Sequence, residues 1–335
     1  MKKAQNIAIV GATGLVGKTF LELFELDHFL DSNIYLVASK KSAGKKFSLR
    51  NSDHIVSSLE DFDFSKVELA FFSAGSEVAK VYAPRAVQQG CFVIDNSSCF
   101  RKDENIPLIV PEVNSETLLD YPIPGIVANP NCQTIQMVVA LKPLHDLFVI
   151  NRIDVTTFQA VSGTGKLAQE ELKLQITQDL EGKKPSSDIF NKQIAFNALP
   201  HCGEFEGNSY TQEEMKMVWE THRILDANID VSATCVRVPV VNGHSESIHI
   251  ETRKTINMER VKECLSNAKG INLINGEGSE SYVTAVEVDG TDSVHVGRIR
   301  MDLYKKNRLN LWVVADNLRK GAALNSIQIA EILFS

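Results

Sequence analysis

The chain has 335 residues with a formal net charge of -7 at pH 7, and 44% of its residues are hydrophobic. This length predicts two domains, and the apolar content is sufficient for ordinary hydrophobic cores. Acidic and basic residues are interspersed without a block of Lys or Arg, so we expect binding to neither nucleic acid nor an anionic membrane. No apolar run in the sequence approaches the length of a membrane span.

Cysteine usage indicates a reducing compartment. The six cysteines are too sparse for a disulfide scaffold and include no CxxC pair, so we expect reduced thiols, no metal site and a cytoplasmic location. The start Met1-Lys2-Lys3 and the apolar run at 7–10 resemble a signal peptide. Glycines at 11, 14 and 17 interrupt that run and no cleavage site follows, so a signal peptide is not predicted.

The first half of the chain alternates strand and helix patterns. Strands are predicted at 6–10, 33–38, 67–73 and 91–95, and helices at 15–26 and 78–89. Strands that alternate with helices favour a parallel sheet covered on both faces. We therefore predict an α/β Rossmann-type dinucleotide-binding domain.

The pattern changes after about residue 151. Longer strands are predicted at 153–161, 229–238, 246–252, 294–302 and 309–315, with few helices between them. This indicates a second, α+β domain with a mostly antiparallel sheet, followed by an amphipathic helix at 319–333. We place the dinucleotide-binding domain at 1–131, completed by a C-terminal helix at 318–335, and the second domain at 132–317.

A glycine-rich segment follows the first predicted strand and opens the first predicted helix. It reads Gly11-Ala12-Thr13-Gly14-Leu15-Val16-Gly17. Small residues allow the backbone to approach a pyrophosphate, and the helix N-terminus supplies N–H donors and positive potential. In this context dinucleotide binding is favoured over a simple tight turn.

The end of the second predicted strand indicates which dinucleotide binds. NAD enzymes usually carry Asp or Glu there to bind the ribose hydroxyls. This chain instead has Ser39, Lys40, Lys41 and Ser42, which suit a 2′-phosphate, so NADP is predicted. The alternative is a solvated loop with an ordinary basic pair.

Cys132 lies in the segment Asn129-Pro130-Asn131-Cys132-Gln133-Thr134, directly before an apolar helical pattern. A helix N-terminus presents unpaired N–H groups and a partial positive charge, which favour a thiolate. Cys132 is therefore a candidate nucleophile. The alternative is an inert, buried thiol in a turn.

A thiol nucleophile and a nicotinamide cofactor together suggest aldehyde–acyl redox chemistry, because a thiohemiacetal can release hydride to become a thioester. Five segments in order resemble those of bacterial aspartate-semialdehyde dehydrogenases. They are GATGLVG at 11–17, PNCQTIQ around Cys132, FQAVSGTG at 158–165, EEMK at 213–216 and CVRVPVVNGHSE at 235–246. The resemblance extends from Ile7 to Asn317 and the helix beyond.

The resemblance implies reductive dephosphorylation of L-4-aspartyl phosphate by NADPH through a Cys132 thioester. The products are aspartate 4-semialdehyde, NADP and phosphate, and the semialdehyde supplies lysine, threonine and methionine synthesis. The resemblance further implies a homodimer, in which the second domain carries both catalysis and dimerisation. The expected partners are therefore small-molecule substrates and a second copy of the chain.

The resemblance also assigns site residues. The catalytic residues are the nucleophile Cys132, the substrate-orienting Gln159 and the general acid/base His244. The substrate- and phosphate-binding residues are Arg101, Asn131, Glu213, Lys216 and Arg237. The cofactor-binding residues are Gly11, Thr13, Gly14, Leu15, Val16, Ser39, Lys41, Ser42, Ser73, Gly75, Ser162, Gly163 and Asn317.

Arg237 also stands out from its pattern alone. It shares a predicted strand face with Ala233 and Cys235, which is unusual for a solvent-facing cation. A planar guanidinium in such a position suits bidentate binding of a carboxylate. The other predicted charged pair, Glu213 and Lys216, lies three apart on one helical face, where a simple surface ion pair is the alternative.

Three positions depart from the family pattern. Gln133 replaces the small hydroxyl residue expected after the nucleophile, and Lys41 stands where Arg is common. Lys keeps the charge but loses the planar fork, so a weaker preference for NADP is expected. Cys99 lies close to Arg101 in the sequence and is a second candidate for thiol reactivity.

Other functions remain open on the sequence. N-acetylglutamyl-phosphate reductases share the layout but typically carry Gly-Cys-Tyr at the nucleophile, and glyceraldehyde-3-phosphate dehydrogenase is further away. A non-catalytic NADP-binding paralogue is the alternative from another class. The joint presence of Cys132, Gln159, Arg237 and His244 argues against it.

Overall fold

The computed structural model describes residues 4–26, 28–119 and 121–334. The first three residues, considered above for a signal peptide, lie outside the described part. The chain divides into two compact units. The first unit comprises Met1–Pro130 and Ala322–Ser335, and the second comprises Asn131–Gly321.

The first unit is an α/β structure. Its strands are Asn6–Val10 (β1), Asn33–Ala38 (β2), Lys46–Leu49 (β3), Ser52–Ile55 (β4), Ser57–Ser58 (β5), Leu69–Phe72 (β6), Phe92–Asp95 (β7) and Ile126–Ala128 (β8). Within the described ranges, the parallel sheet has the order β5-β2-β1-β6-β7-β8, and β3 and β4 form a separate antiparallel hairpin. Helices Leu15–Leu26 (α1), Ser76–Gln88 (α2) and Pro111–Asn114 (α3) connect the strands.

The central strands are buried on both faces, which explains their continuous apolar sequences. Alternate residues contact two separate cores: Ile7, Ile9 and Phe71 belong to one, and Ala8, Val10 and Phe72 to the other. Strand β2 lies on one side of β1 and β6 lies on the other, so the strand order reverses at β1. In open α/β sheets, ligands bind outside the carboxyl ends of the strands at such a reversal.

The second unit contains the helices Cys132–Phe148 (α4), Lys166–Leu180 (α5), Gln212–Ile224 (α6), Met258–Asn267 (α7) and Ala285–Val288 (α8). Its strands are Ile150–Gln159 (β9), Asp230–Arg237 (β10), His244–Thr252 (β11), Ile271–Leu273 (β12), Val294–Met301 (β13) and Arg308–Ala315 (β14). The sheet order in the part of the chain that the structure describes is β10-β9-β11-β14-β13-β12. One face of this sheet is buried against α4 and α6.

The C-terminal segment begins with a π-helical turn, Arg319–Ala323, and continues as the α-helix Leu324–Phe334 (α9). The apolar side chains of α9, including Ile327 and Leu333, lie in the same core of the first unit as Ile7. Helix α9 therefore completes the hydrophobic core of the first unit.

The predicted fold class is confirmed. The predicted bounds of β1, β2 and α1 coincide with those of the structure. The second sheet is mixed, because β9 pairs in parallel with β10 and β12 with β13, while the three remaining pairings are antiparallel in the described residues.

The expectation of few helices in the second unit was wrong. The sequence of helix α5 does not have the pattern of an amphipathic helix. Its residues Glu171 and Gln175 are buried, whereas Leu167, Leu174 and Leu180 are exposed. Polar residues at core positions and apolar residues on the surface erase the periodicity from which a helix is predicted.

Candidate active site

The glycine-rich loop of the first unit forms a cradle of backbone atoms. Gly11 has a φ of +90°, which favours glycine, and its N–H donates to the Val37 carbonyl at 2.8 Å. A Cβ at this position would lie 2.6 Å from the Ser73 carbonyl oxygen. The absence of a side chain at Gly11 therefore lets the loop pack against the end of β6 just before α1, whose N-terminus is the kind of position that binds a pyrophosphate.

The predicted phosphate-selecting residues follow β2. Ser39 precedes a single 3-10 turn that contains Lys40, Lys41 and Ser42, and both lysine side chains are exposed. Ser73 follows β6 and Gly75, with a φ of +88°, precedes α2. The ends of β1, β2 and β6 thus carry the predicted cofactor residues of the first unit along one edge of its sheet.

Arg101 is buried in the first unit and fixes the loop that contains it. Its Nε donates to the Ser97 carbonyl at 3.0 Å and Nη2 donates to the Asn96 carbonyl at 2.9 Å. Burial raises the pKa of the neighbouring Asp95 carboxyl, although hydrogen bonds from Ser97 and the charge of Arg101 oppose this effect. The guanidinium is therefore held by main-chain oxygens at a fixed position.

In the second unit, Cys132 is the first residue of α4, as predicted, and Asn131 is the N-cap. The thiol Sγ donates to Gln133 Oε1 at 2.9 Å and lies 3.5 Å from Asn131 Oδ1. Both flanking side chains are buried, whereas Cys132 is partly accessible. An accessible thiol at a helix start fits a nucleophile better than a core filler.

The carboxylate of Glu213 connects these groups. Its Oε2 accepts hydrogen bonds from Asn131 Nδ2 at 2.7 Å and from Gln133 Nε2 at 2.9 Å, and its Oε1 accepts one from the Lys216 ammonium. Two turns further along α6, the buried Glu220 accepts the Asn131 main-chain N–H at 2.8 Å. Helix α6 therefore positions the start of α4 through two carboxylates.

Three predicted residues lie at the ends of adjacent strands. Arg237 on β10 pairs with Gln159 on β9, and β11 begins next to them with His244. All three side chains are buried, and Arg237 shares its buried face with Cys235 and Ala233, as predicted. The Arg237 Nη1 donates to the Ala160 carbonyl at 2.6 Å. The end of this sheet therefore places a guanidinium, an amide and an imidazole in adjacent positions.

The state of His244 follows from its surroundings. The Ala160 main-chain N–H donates to Nδ1 at 3.0 Å, so the neutral ring carries its proton on Nε2. Burial and the charge of Arg237 lower the pKa of His244 to about 3. Nε2 has no hydrogen-bond partner among the described residues. His244 is thus a neutral ring with a free Nε2–H donor.

The remaining predicted cofactor residues of the second unit form one hydrogen-bonded group. Ser162 Oγ and Asn317 Nδ2 are 3.0 Å apart, and Asn317 Oδ1 accepts the Gly243 N–H at 2.9 Å. Gly163 follows Ser162 in a 3-10 turn. The structure therefore brings the predicted residues at 162, 163 and 317 to the main chain next to His244.

A close approach at Cys132 involves the π-helical turn. A Cβ at Gly321 would lie 2.8 Å from the Cβ of Cys132. The turn is held by Asp316, whose carboxylate accepts the N–H groups of Gly290, Leu318 and Arg319 at 2.8–3.0 Å. A residue larger than glycine at 321 would displace Cys132 or the turn.

Sequence reasoning missed Glu220, Gly321, the Ala160 amide and Glu246. Glu220 could have been found, because it lies seven residues after Glu213 on the same helical face. Glu246 is fully buried two residues after His244, with neither carboxyl oxygen hydrogen-bonded in the described structure. Burial raises its pKa well above the ordinary value. The donor to His244 is the main-chain N–H of Ala160, which leaves no signal in the sequence.

The described residues contain no group of three or more His, Cys, Asp or Glu side chains arranged to hold a metal ion. Over the same ranges, no helix combines the length and the apolar character needed to cross a membrane.

Two family models match the chain. The model described as semialdehyde dehydrogenase, NAD binding domain, matches residues 6–121, and that described as semialdehyde dehydrogenase, dimerisation domain, matches residues 141–320. The first unit accordingly contains an NAD(P)-binding domain.

Named relatives match almost the whole chain. The aspartate-semialdehyde dehydrogenase of Legionella pneumophila is 52% identical over 99% of this chain and 96% of the relative. Aspartate-semialdehyde dehydrogenase 2 of Vibrio cholerae is 48% identical over 99% and 98%, respectively. A crystal structure of the V. cholerae enzyme II, described as complexed with ASA, matches with a TM-score of 0.95 at 47% identity, covering 99% of this chain and 98% of that one. The resemblance inferred from the sequence is confirmed, and the chain belongs to the aspartate-semialdehyde dehydrogenase family.

Proposed function

We propose that the protein converts L-4-aspartyl phosphate and NADPH to aspartate 4-semialdehyde, NADP and phosphate, a step that supplies lysine, threonine and methionine synthesis. The observation that carries this proposal is the cluster around Cys132. An accessible thiol at a helix start, a buried guanidinium at Arg237 and a free imidazole donor at His244 belong to one compact unit. The family membership supports the same activity.

The cofactor in this proposal is NADP, held at the glycine-rich loop. The glycine-rich loop before the N-terminus of α1 fits a pyrophosphate, and Ser39, Lys41 and Ser42 provide a cation and hydroxyls for a 2′-phosphate. A related structure from Candida albicans, 26% identical with a TM-score of 0.75, is described as containing NADP. Thr13, Gly14, Leu15, Val16, Ser73 and Gly75 complete the set in the first unit, and Ser162, Gly163 and Asn317 in the second.

The substrate is held by its charged groups. Arg237 binds the α-carboxylate through its planar fork, and Glu213 binds the α-ammonium. Arg101, Asn131 and Lys216 bind the phosphoryl oxygens. Gln159, whose Oε1 has no partner among the described residues, orients the substrate beside Arg237. Fixing both ends of an aspartyl group places its carbonyl at the thiol, where positioning contributes much of the rate.

The reaction then proceeds through Cys132. The Cys132 thiolate attacks the acyl carbonyl, the carbon–oxygen bond to phosphate breaks, and a thioester remains on the enzyme. When bound, NADPH supplies the hydride that reduces this thioester. His244 donates a hydrogen bond from Nε2–H to the oxygen that becomes negatively charged, and this oxyanion then expels the Cys132 thiolate and leaves as the aldehyde.

We further propose a homodimer formed by the second unit. The outer face of its sheet carries the half-buried Phe158 and Trp312, whose rings lie 5.7 Å apart. The match to a dimerisation domain model over residues 141–320 supports this assignment. Light scattering at micromolar concentration tests it: a mass of one chain contradicts the dimer.

The experiment for the activity runs the reaction in reverse. The purified protein is mixed with aspartate semialdehyde and NADP, and NADPH formation is followed with and without phosphate. We expect reduction of NADP only when phosphate is present. Absence of activity with intact NADP binding supports a non-catalytic binding protein, and preference for N-acetylglutamate semialdehyde supports the other reductase class.

A further inference from the structure

The two amides beside the nucleophile have the same arrangement. Asn131 and Gln133 each donate from the side-chain nitrogen to Glu213 Oε2, at 2.7 and 2.9 Å. Their carbonyl oxygens lie 3.5 and 2.9 Å from Cys132 Sγ. Each amide therefore bridges the thiol and the carboxylate.

The carboxylate fixes the orientation of these amides. A carboxylate paired with an ammonium accepts hydrogen bonds and donates none, so the NH₂ group of Gln133 must face Glu213. Its oxygen then faces Cys132. An amide oxygen accepts a hydrogen bond from S–H but repels S⁻, so this arrangement favours the neutral thiol.

Gln133 makes the shorter of the two contacts with sulfur and is fully buried. It is also the residue that departs from the family pattern, in which a small hydroxyl residue is expected. A small hydroxyl side chain is too short to contact both Cys132 Sγ and Glu213. The bridge therefore depends on the length of the glutamine side chain.

We propose that Gln133 is a positioning residue that couples the occupancy of Glu213 by the substrate's ammonium group to the ionisation of Cys132. This inference rests on the proposed function, in which Glu213 binds that ammonium. A cation at Glu213 competes for the oxygen that holds Gln133 Nε2. The freed amide rotates and donates Nε2–H to sulfur, and the Cys132 proton passes to bulk water. The nucleophile is thus activated only when an amino-acid substrate is present.

The test measures the ionisation of Cys132 directly. The ultraviolet absorbance of the thiolate is titrated against pH, with Cys132→Ser as the blank that removes the signal of the other cysteines. L-2-aminobutyrate serves as the probe, because it carries the carboxylate and ammonium of the substrate but no electrophilic carbon. We expect saturating probe to lower the titration midpoint by about one pH unit or more, a tenfold change in ionisation.

Variants separate the bridge from other effects of the probe. In Gln133→Met, which keeps the length but loses both hydrogen bonds, we expect the shift to fall by at least half. Gln133→Ser, with the expected family residue type, should behave similarly and provides a second variant if the first does not fold. The matched control is Gln169→Met, which removes a single hydrogen bond to Asn242 elsewhere in the unit and should keep the full shift.

Three results overturn the coupling: an undiminished shift in either Gln133 variant, no shift in the parent at saturation, or no binding of the probe by calorimetry. A parent protein that is active with aspartate semialdehyde but fails this titration loses only the coupling, whereas an inactive parent refutes the proposed function. Steady-state kinetics give a second readout. Gln133→Met should lower kcat more than it raises KM, because activation follows binding.

Discussion

The glycine-rich loop of the first unit and the Cys132 cluster of the second are built in opposite ways. The loop is contiguous in sequence, and its geometry depends on main-chain atoms and on a missing Cβ at Gly11. The cluster draws residues from positions 131–133, 159, 213, 237 and 244, and depends on side-chain hydrogen bonds. The first kind of site is sensitive to added atoms, and the second to lost functional groups. Substitutions that add an atom to the loop or remove a functional group from the cluster test this distinction.

The largest effect on activity is expected for Cys132, the proposed nucleophile. Cys132→Ser retains the size and the helix start but replaces the thiol by a poorly ionised hydroxyl. We expect kcat/KM for aspartate semialdehyde to fall by roughly 10⁴-fold or more, with unchanged NADPH binding. Substrate kinetics and a fluorescence titration with NADPH measure the two properties. An active serine variant would show that the acyl group is carried elsewhere.

The next effect concerns carboxylate recognition. Arg237→Lys keeps the charge but cannot reproduce the planar fork, and loss of a buried charged pair costs about 2–5 kcal/mol. We expect kcat/KM to fall roughly 30-fold or more. The control Arg152→Lys alters an exposed pair with Asp154 and should have little effect. Near-parent kinetics for Arg237→Lys would make Arg237 a structural residue of the sheet.

The loop should respond to a single added carbon. Gly11→Ala places a Cβ 2.6 Å from the Ser73 carbonyl at a φ of +90°, a strain of about 1–3 kcal/mol. We expect about tenfold weaker NADPH binding or more, because the cradle must shift. Gly207→Ala is the control, since a Cβ there meets no described atom within 4 Å. If the two variants bound NADPH with equal affinity, the backbone of the glycine-rich loop would not be the part that holds the cofactor.

A smaller effect is expected for cofactor selectivity. The parent should bind NADPH more tightly than NADH, and Lys41→Ala should narrow the ratio of their dissociation constants. We expect a change of about fivefold, corresponding to about 1 kcal/mol for one exposed charged contact. Isothermal titration with both cofactors measures it. Equal affinities in the parent would contradict the assignment of NADP.

The smallest effect concerns the buried Glu246. Because burial raises its folded-state pKa, the folded protein retains a proton that the unfolded chain releases above about pH 4.5. Stability is therefore lost as the pH rises from this value toward the folded-state pKa. Glu246→Gln removes this titrating group. We expect Tm to rise by about 2–4 °C at pH 8, which corresponds to about 1 kcal/mol in a domain of this size. Near pH 4 we expect no change in Tm.

The control for this titration lies on the same strand. Glu251→Gln changes a more accessible carboxylate that pairs with Arg308. This variant should not show the pH-dependent increase in Tm. If Glu246→Gln raised Tm equally at both pH values, the increase would come from better packing and not from the loss of a titrating carboxyl group.

Much of the fold and part of the site could be predicted from the sequence. The alternating strands and helices of the first unit, the glycine-rich loop, the helix start at Cys132 and the buried face of Arg237 each follow from a local pattern. The hydrogen bonds of the site could not be predicted in this way. Whether Ala160 N–H meets His244 depends on the register of β9 and β11, strands separated by more than eighty residues.

The partners of Gln133 show the same limit. Its departure from the family pattern was visible, but its contact with Glu213 requires α6 to pack beside α4. The parallel pairing of β9 with β10 could not be predicted from the sequence either, because two helices and a long irregular segment separate these strands. Local patterns predict elements, and only packing determines which side chains meet.

The contact between Gly321 and Cys132 bears on how the protein can be re-engineered. Circular permutation usually succeeds at exposed loops, and the stretch at 182–184 offers one. New termini at 317–321 would cut the turn that packs on Cys132, even though this stretch lies nearly two hundred residues away in the sequence. A split or permuted version of the protein should keep Asp316 and Gly321 on one continuous segment.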